Sequence, residues 1–205
     1  MNKSTIKILV WDVPTRVFHW SMVLCFIGAW LSAESERWRL FHVSFGYTMV
    51  GLVAFRLIWG FAGTRYAQFS EFIAGPTKVV SYITSALQAK PIHYVGHNPI
   101  GALAIALILF LVAGIGLTGY VTYNELAWFK ADHLHEFLSN ALMTIVVIHI
   151  GGVVISSKLH KENLIKAMIT GKKDGHEAQG ISQKRIAYGV LLFICIATFW
   201  LCQFR

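Results

Sequence analysis

Five long apolar runs, at residues 17–33, 43–61, 99–122, 134–156 and 186–203, constrain this chain more than any other feature. Each approaches the roughly 20 residues that a helix needs to cross the hydrocarbon of a bilayer. In lipid only helices and closed barrels satisfy every backbone N–H and C=O. The runs are too long and too continuously apolar for barrel strands, which alternate over about ten residues. Charged residues make up 14% of the chain, well below the roughly 25% of soluble domains. The expected fold is therefore all-α, an integral membrane helical bundle. Residues 1–157 hold the first four transmembrane helices, 158–185 read as a basic linker, and 186–205 supply a fifth, C-terminal span. Within the linker, Gly171 to Gly180 reads as flexible and polar.

The charges between the runs alternate in sign. Lys3, Lys7 and Arg16 precede the first run, and Arg65, Lys78 and Lys90 follow the second. Lys158, Lys161, Lys166, Lys172, Lys173, Lys184 and Arg185 follow the fourth. The other two connections are mixed or acidic, with Glu34, Glu36, Arg37 and Arg39 in one and Glu125, Lys130 and Asp132 in the other. By the positive-inside rule the N-terminus is cytoplasmic in a bacterial inner membrane, and five spans put the C-terminus outside. The net charge of +8 is then topology and contact with anionic lipid, not a nucleic-acid footprint. The polar cluster Trp11 to Trp20 argues against a cleaved signal peptide, so the first span is expected to stay.

Cys25, Cys195 and Cys202 lie inside apolar runs, and no Cys-x-x-Cys-His occurs. A disulfide framework and covalent c-type haem attachment are both excluded. Between the second and third runs, Val79, Val80, Ile83 and Leu87 recur at helical spacing, which predicts an interfacial helix from Pro76 to Leu87. Trp11, Trp20, Trp38 and Trp128 fall near span ends and read as interface anchors.

Histidine geometry carries the functional reading. His135 and His149 are 14 residues apart, about 21 Å along a helix and about 40° apart in azimuth. They share a face at opposite membrane levels, so one mononuclear site cannot use both. His19 starts the first span and His42 the second, which runs the other way. Depth therefore pairs His19 with His149 on the inner side and His42 with His135 on the outer side. Each pair suits the two axial positions of a haem iron, leaving no open position and favouring electron transfer over oxygen binding. His133 is 16 residues from His149, about 160° round the helix, so His135 is preferred. His93, His97, His160 and His176 lie in basic connections and read as surface residues.

Arg56 lies 14 residues after His42, on the same face and one haem level deeper. A charge inside a span needs a partner, and a propionate of the inner haem would supply one; snorkelling to the interface is the alternative. Arg16 and Arg65 are weaker candidates for that contact. Gly46, Gly114, Gly116, Gly119, Gly151 and Gly152 leave room for a flat macrocycle or for close helix contact.

The segments Arg16-Val17-Phe18-His19-Trp20, His42-Val43-Ser44-Phe45-Gly46-Tyr47, Gly96-His97-Asn98-Pro99, His135-Glu136 and His149-Ile150-Gly151 resemble the bacterial cytochrome b561 and nickel–iron hydrogenase b-type cytochrome family. A more distant likeness is to formate dehydrogenase gamma subunits. The resemblance covers about residues 10–157. It implies a four- or five-helix protein with two haem b groups that exchanges electrons with quinone and a partner redox protein. It also implies His19 and His149 as iron ligands of the inner haem and His42 and His135 of the outer one, in agreement with the depth argument. No quinone-site motif is clear enough to carry residues over.

The leading expectation is a dihaem cytochrome of the respiratory chain, joining a periplasmic-side redox protein, hydrogenase-like or a cytochrome c, to the quinone pool. It is expected to act as an electron-transfer subunit without catalytic residues of its own. One alternative is a self-sufficient superoxide:quinone oxidoreductase. Another, of a different class, is a non-redox membrane anchor or transporter.

Overall fold

A computed structural model describes residues 6–72, 75–88, 92–126 and 130–205. Lys3, Lys90 and Trp128, used above for topology and anchoring, lie outside them. Strand β1 (Ile6–Leu9) leads into α1 (Val13–Ser32). After a 3-10 turn come α2 (Arg39–Ala62), a second 3-10 turn and the single-turn α3 (Phe69–Phe72). Then follow α4 (Pro76–Leu87), α5 (Pro99–Tyr123), α6 (Ala131–Leu159) and α7 (Leu164–Thr170). Strand β2 (Lys172–Gly175), a third 3-10 turn and α8 (Ile186–Gln203) complete the described chain.

Local chemistry sets the helix starts. Asp12 caps α1 by accepting from Thr15 N at 2.8 Å, and Pro14 sits in the first turn, where a missing N–H costs nothing. Asn98 caps α5 in the same way, accepting from Gly101 N at 2.7 Å with Pro99 as the first helical residue. The expected boundaries of the five runs hold to within about four residues. The interfacial segment forms a helix over Pro76–Leu87, with Val80, Ile83 and Leu87 outward and Tyr82 buried.

In space α8 lies against α1, α1 against α2, α2 against α5, and α5 against α6. The core between them is built from Met22 and Cys25 of α1, Met49, Leu52 and Val53 of α2, Leu109 and Val112 of α5, Leu142 of α6 and Leu192 of α8. Large apolar side chains such as Leu31, Phe110, Ile155 and Phe193 point outward instead. That arrangement suits lipid as the surrounding solvent, since an apolar outer surface of this extent would be unstable in water. Four helices, Glu36–Ala62, Pro99–Tyr123, Ala131–Leu159 and Ile186–Gln203, are long and apolar enough to cross a membrane. Helix α1 has 20 residues, but Thr15, Arg16, His19 and Ser21 dilute its apolar character. The chain is a multi-pass helical membrane protein.

One end of the bundle, the sheet end, carries the starts of α1, α5 and α8 and the ends of α2 and α6. The expectation of a flexible linker over Gly171 to Gly180 fails here. Residues 172–175 form β2, antiparallel to β1 with Ile6 opposite Gly175 and Leu9 opposite Lys172. Gly171 O accepts from both Val10 N and Trp11 N, Ile181 N donates to Leu9 O, and Tyr66 OH donates to Gln179 O. Sequence reading missed this because a four-residue strand of Lys-Lys-Asp-Gly has almost no β propensity; pairing partners 163 to 169 residues away supply the structure. Ile8, Val10, Trp11, Tyr66 and Ala167 form a second apolar core beneath the sheet. Trp11 is thus a core residue and not an interface anchor.

Gly171 holds a left-handed φ of 79°, and a Cβ there would stand 2.6 Å from Trp11 O. Gly171→Ala is expected to destabilise the protein by about 2 kcal/mol. Thermal unfolding in detergent followed by circular dichroism checks this; an unchanged midpoint would show that the sheet-end turn tolerates a side chain.

Candidate functional site

At the far end of the bundle, α2 and α6 bring His42 and His135 together, with ring centroids 6.1 Å apart. Both rings are half-buried and both are held by carbonyl groups. His42 Nδ1 lies 2.8 Å from Ala29 O, and His135 Nδ1 lies 3.1 Å from Ile115 O and 3.3 Å from the Thr118 hydroxyl. A carbonyl only accepts, so Nδ1 carries the proton in each ring and Nε2 keeps its lone pair. That is the tautomer a metal-binding imidazole needs, and the second-shell contact fixes its orientation. Room has been left for the rings. A Cβ on Gly119 would stand 3.0 Å from His135 Cε1, whereas one on Gly46, a turn beyond His42, would meet no atom within 4 Å.

Two axial imidazoles on a single iron place their ring centres about 6 Å apart, since each metal–nitrogen bond is about 2 Å. The His42–His135 centroid separation of 6.1 Å is compatible with two imidazoles that would share one iron. His133, on the same helix, is exposed and turned away from this pair.

The sheet end gathers a larger group. His19 of α1 and His149 of α6 are both half-buried and lie within electrostatic reach of each other. His19 Nδ1 is buried and has no hydrogen-bond partner among the described residues. Arg56 of α2 is 3% exposed, so it does not snorkel outward; its guanidinium lies 4.9 Å over the Phe69 ring and faces the carboxylate of Asp12. Arg16 is partly exposed and donates to Ile169 O at 2.6 Å, while its Nε is buried without a hydrogen-bond partner among the described residues. Arg65 pairs with Glu71 at 3.3 Å on the surface.

His97 corrects the sequence reading. Expected at the surface, it packs its ring 4.5 Å from Trp11, with Nδ1 shielded from solvent, in the field of Arg56, His149, Lys173 and His19. Burial first, then those neighbouring groups, pushes His97 down to about 3, so the ring is neutral at physiological pH. The signal was available in principle. The Asn98-Pro99 cap fixes residue 97 one step outside the cap and two residues before the start of α5. His93 and His176 are exposed as expected, and His160 is half-buried against Tyr82.

Asp12 is the other residue whose importance sequence reading missed. Wholly buried, its carboxylate accepts from Thr15 N, from Trp59 Nε1 at 3.0 Å and from Thr64 Oγ1 at 2.7 Å. It thereby ties the start of α1 to the end of α2 and to the turn that follows it.

Residues 10–171 match the family model described as prokaryotic cytochrome b561. The chain is 27% identical over 151 residues to the probable Ni/Fe-hydrogenase 1 B-type cytochrome subunit of Escherichia coli K12, an alignment covering 60% of this chain and 63% of that protein. Against the probable Ni/Fe-hydrogenase B-type cytochrome subunit of Bradyrhizobium diazoefficiens identity is 23% over 212 aligned positions, with 81% and 85% covered. The corresponding protein of Azotobacter vinelandii is 25% identical over 223 aligned positions, with 83% and 90% covered. The match thus spans less than two thirds of the Escherichia coli relative and most of the other two. No solved structure matches. The chain belongs to the prokaryotic cytochrome b561 family.

Proposed function

We propose that this protein is a dihaem b-type cytochrome that carries electrons across a bacterial inner membrane between a periplasmic-side redox protein and the quinone pool. In this reading His19 and His149 hold the haem at the sheet end, and His42 and His135 hold the one at the far end. Residues 1–157 form the dihaem unit. The sheet end faces the cytoplasm, in keeping with the lysines and arginines gathered there. The names of the Escherichia coli, Bradyrhizobium and Azotobacter relatives favour a hydrogenase-like protein as the outer partner.

The observation that carries this reading is the far-end pair, in which two imidazoles 6.1 Å apart both have Nδ1 committed to a backbone carbonyl. Bound haem supplies reversible one-electron chemistry. The chain supplies everything else. His42 and His135 would hold the iron of the far-end haem, and the Ala29 and Ile115 carbonyls keep each imidazole in its ligating tautomer. The apolar core between the two levels excludes water and keeps the dielectric low. At the sheet end, Arg56 and His97 offer a cation and a neutral N–H donor at a level where an anionic propionate needs both.

Reduced-minus-oxidised spectroscopy on the purified full chain, with haem extracted and quantified, tests the proposal. Two non-covalent haem b groups per chain are expected. A preparation with no reducible haem absorbance would refute it and favour a non-redox membrane protein.

A further inference from the structure

On the solvent side of His97, a second set of ionisable side chains meets. Glu162, in the turn between α6 and α7, is half-buried and accepts from Lys173 Nζ at 2.8 Å and from His93 Nε2 at 2.8 Å. Lys173 is itself buried, and its ammonium also donates to Val95 O at 3.0 Å and Tyr94 O at 3.3 Å. His93 stands at the entrance with 46% of its side chain exposed. The ring of His160 meets it edge-on at 5.5 Å, and His160 Nε2 lies 3.3 Å from the Tyr82 hydroxyl.

These groups wall a cavity of about 30 Å³, enough for about one water. Asn98 and Ser156 form its inner wall, and Asn98 Nδ2 donates to Ser156 Oγ at 3.4 Å. Asn98 is bonded directly to His97. A line of polar groups thus leads from solvent, past a water-sized space, to Ser156 and Asn98, about two turns of α6 from His149. Beside it Ile8, Val10, Trp11 and Tyr66 form an apolar cluster under the sheet.

A purely mechanical role explains this cluster poorly. Burying a lysine and a glutamate costs several kcal/mol in desolvation, and a well-packed apolar pair would hold the same segments at least as well. The need for it follows from the chemistry of a quinone. Reduction of one quinone to quinol takes two electrons, which reach the sheet end from the outer redox protein, and two protons. Those protons must come from the adjacent aqueous phase through whatever covers that end.

We propose that His93, Glu162 and the cavity behind them form the proton-entry path for quinone reduction at the sheet end, with a cavity water and the Ser156 hydroxyl passing protons inward and the Asn98 amide orienting that hydroxyl; this rests on the quinone-linked reading above. Burial alone would raise the Glu162 carboxyl, but the hydrogen bonds from Lys173 and His93 outweigh it and hold the group below the ordinary carboxylate range. Glu162 is therefore ionised at rest and accepts a proton only in transit. Lys173 keeps the pair neutral between transfers. His160, held below its usual value first by burial and then by His93, stays a neutral acceptor beside the cavity.

The test uses the full haem-loaded chain in nanodiscs. The haems are reduced with dithionite and mixed in a stopped-flow instrument with decylubiquinone, while a pH-indicator dye follows proton uptake. Glu162→Gln and His93→Gln are expected to slow haem reoxidation and proton uptake together at pH 8 by about a hundredfold, the low end of the range for losing a positioned proton-transfer group. The defect should shrink toward pH 6, recover with added imidazole as a mobile proton carrier, and be partly restored in Glu162→Asp. Haem content should be unchanged. His93 is exposed, so its variant keeps the test valid where Glu162→Gln fails to fold. Rates equal to wild type, or a slowing independent of pH and of imidazole, would overturn the path while leaving quinone reduction standing. Wild-type haems that decylubiquinone leaves reduced would overturn the quinone reading, and the path with it.

Discussion

Alanine at His42 or at His135 is expected to remove the same haem, leaving about half of the reducible absorbance, whereas alanine at His19 or His149 removes the other. The pairing is specific because the two levels are far apart. His135 and His149 sit on one face of α6 about 21 Å from each other, so no single iron reaches both. At the far end the loss should be complete for either variant, since the remaining imidazole alone does not hold a haem against exchange into detergent. His133→Ala serves as the control, because its exposed ring lies outside the pair, and it should retain both haems. Haem quantification and low-temperature spectra of the five variants decide the matter. If His42→Ala and His149→Ala deplete one common haem, the depth pairing is wrong.

The second large effect is expected at Asp12. Its carboxylate is wholly buried and accepts three hydrogen bonds, from Thr15 N, Trp59 Nε1 and Thr64 Oγ1. Asp12→Ala strips all three donors of their acceptor, removes the cap of α1 and leaves the buried guanidinium of Arg56 without the negative charge it faces. Those losses overlap, so they do not add, but a total of about 3 to 5 kcal/mol is expected. Asp12→Asn should fall in between. It keeps the shape and one acceptor oxygen, but it turns an NH2 group toward donors. Thermal unfolding in detergent reads the effect, and a midpoint for Asp12→Ala within error of wild type would show that the three donors find other acceptors.

Much of the helical bundle was legible because lipid makes demands that a sequence must meet visibly. Apolar runs of fixed length predicted α2, α5, α6 and α8 to within a few residues, and the phase of His135 against His133 rested only on 3.6 residues per turn. Asn98-Pro99 and Asp12-x-Pro14 are equally local signals. What stayed hidden was carried by contacts between distant segments. The β1–β2 pairing joins Ile6–Leu9 to a Lys-Lys-Asp-Gly stretch that has almost no strand propensity of its own. The shielding of the half-buried His97 depends on Trp11 and the sheet-end cap, neither of which periodicity can place. Lys173, one basic residue among many in a loop, becomes a buried partner of Glu162 only once that cap has formed.

That cap has a consequence for assembly. The Lys7–Asp174 bridge joins residues 167 apart, with every helix from α1 to α7 between them. During synthesis β1 emerges first, but its partner strand is not made until about 10 to 30 s later at ordinary translation rates. Through that interval the segment ahead of α1 has no fixed place, and the sheet end stays uncovered while the four helices insert and pack. Closure of the sheet is therefore a late, non-local step. It can occur only after α6 has brought the chain back to the side on which it started, so a paired β1 marks a chain whose insertion has the correct number of crossings.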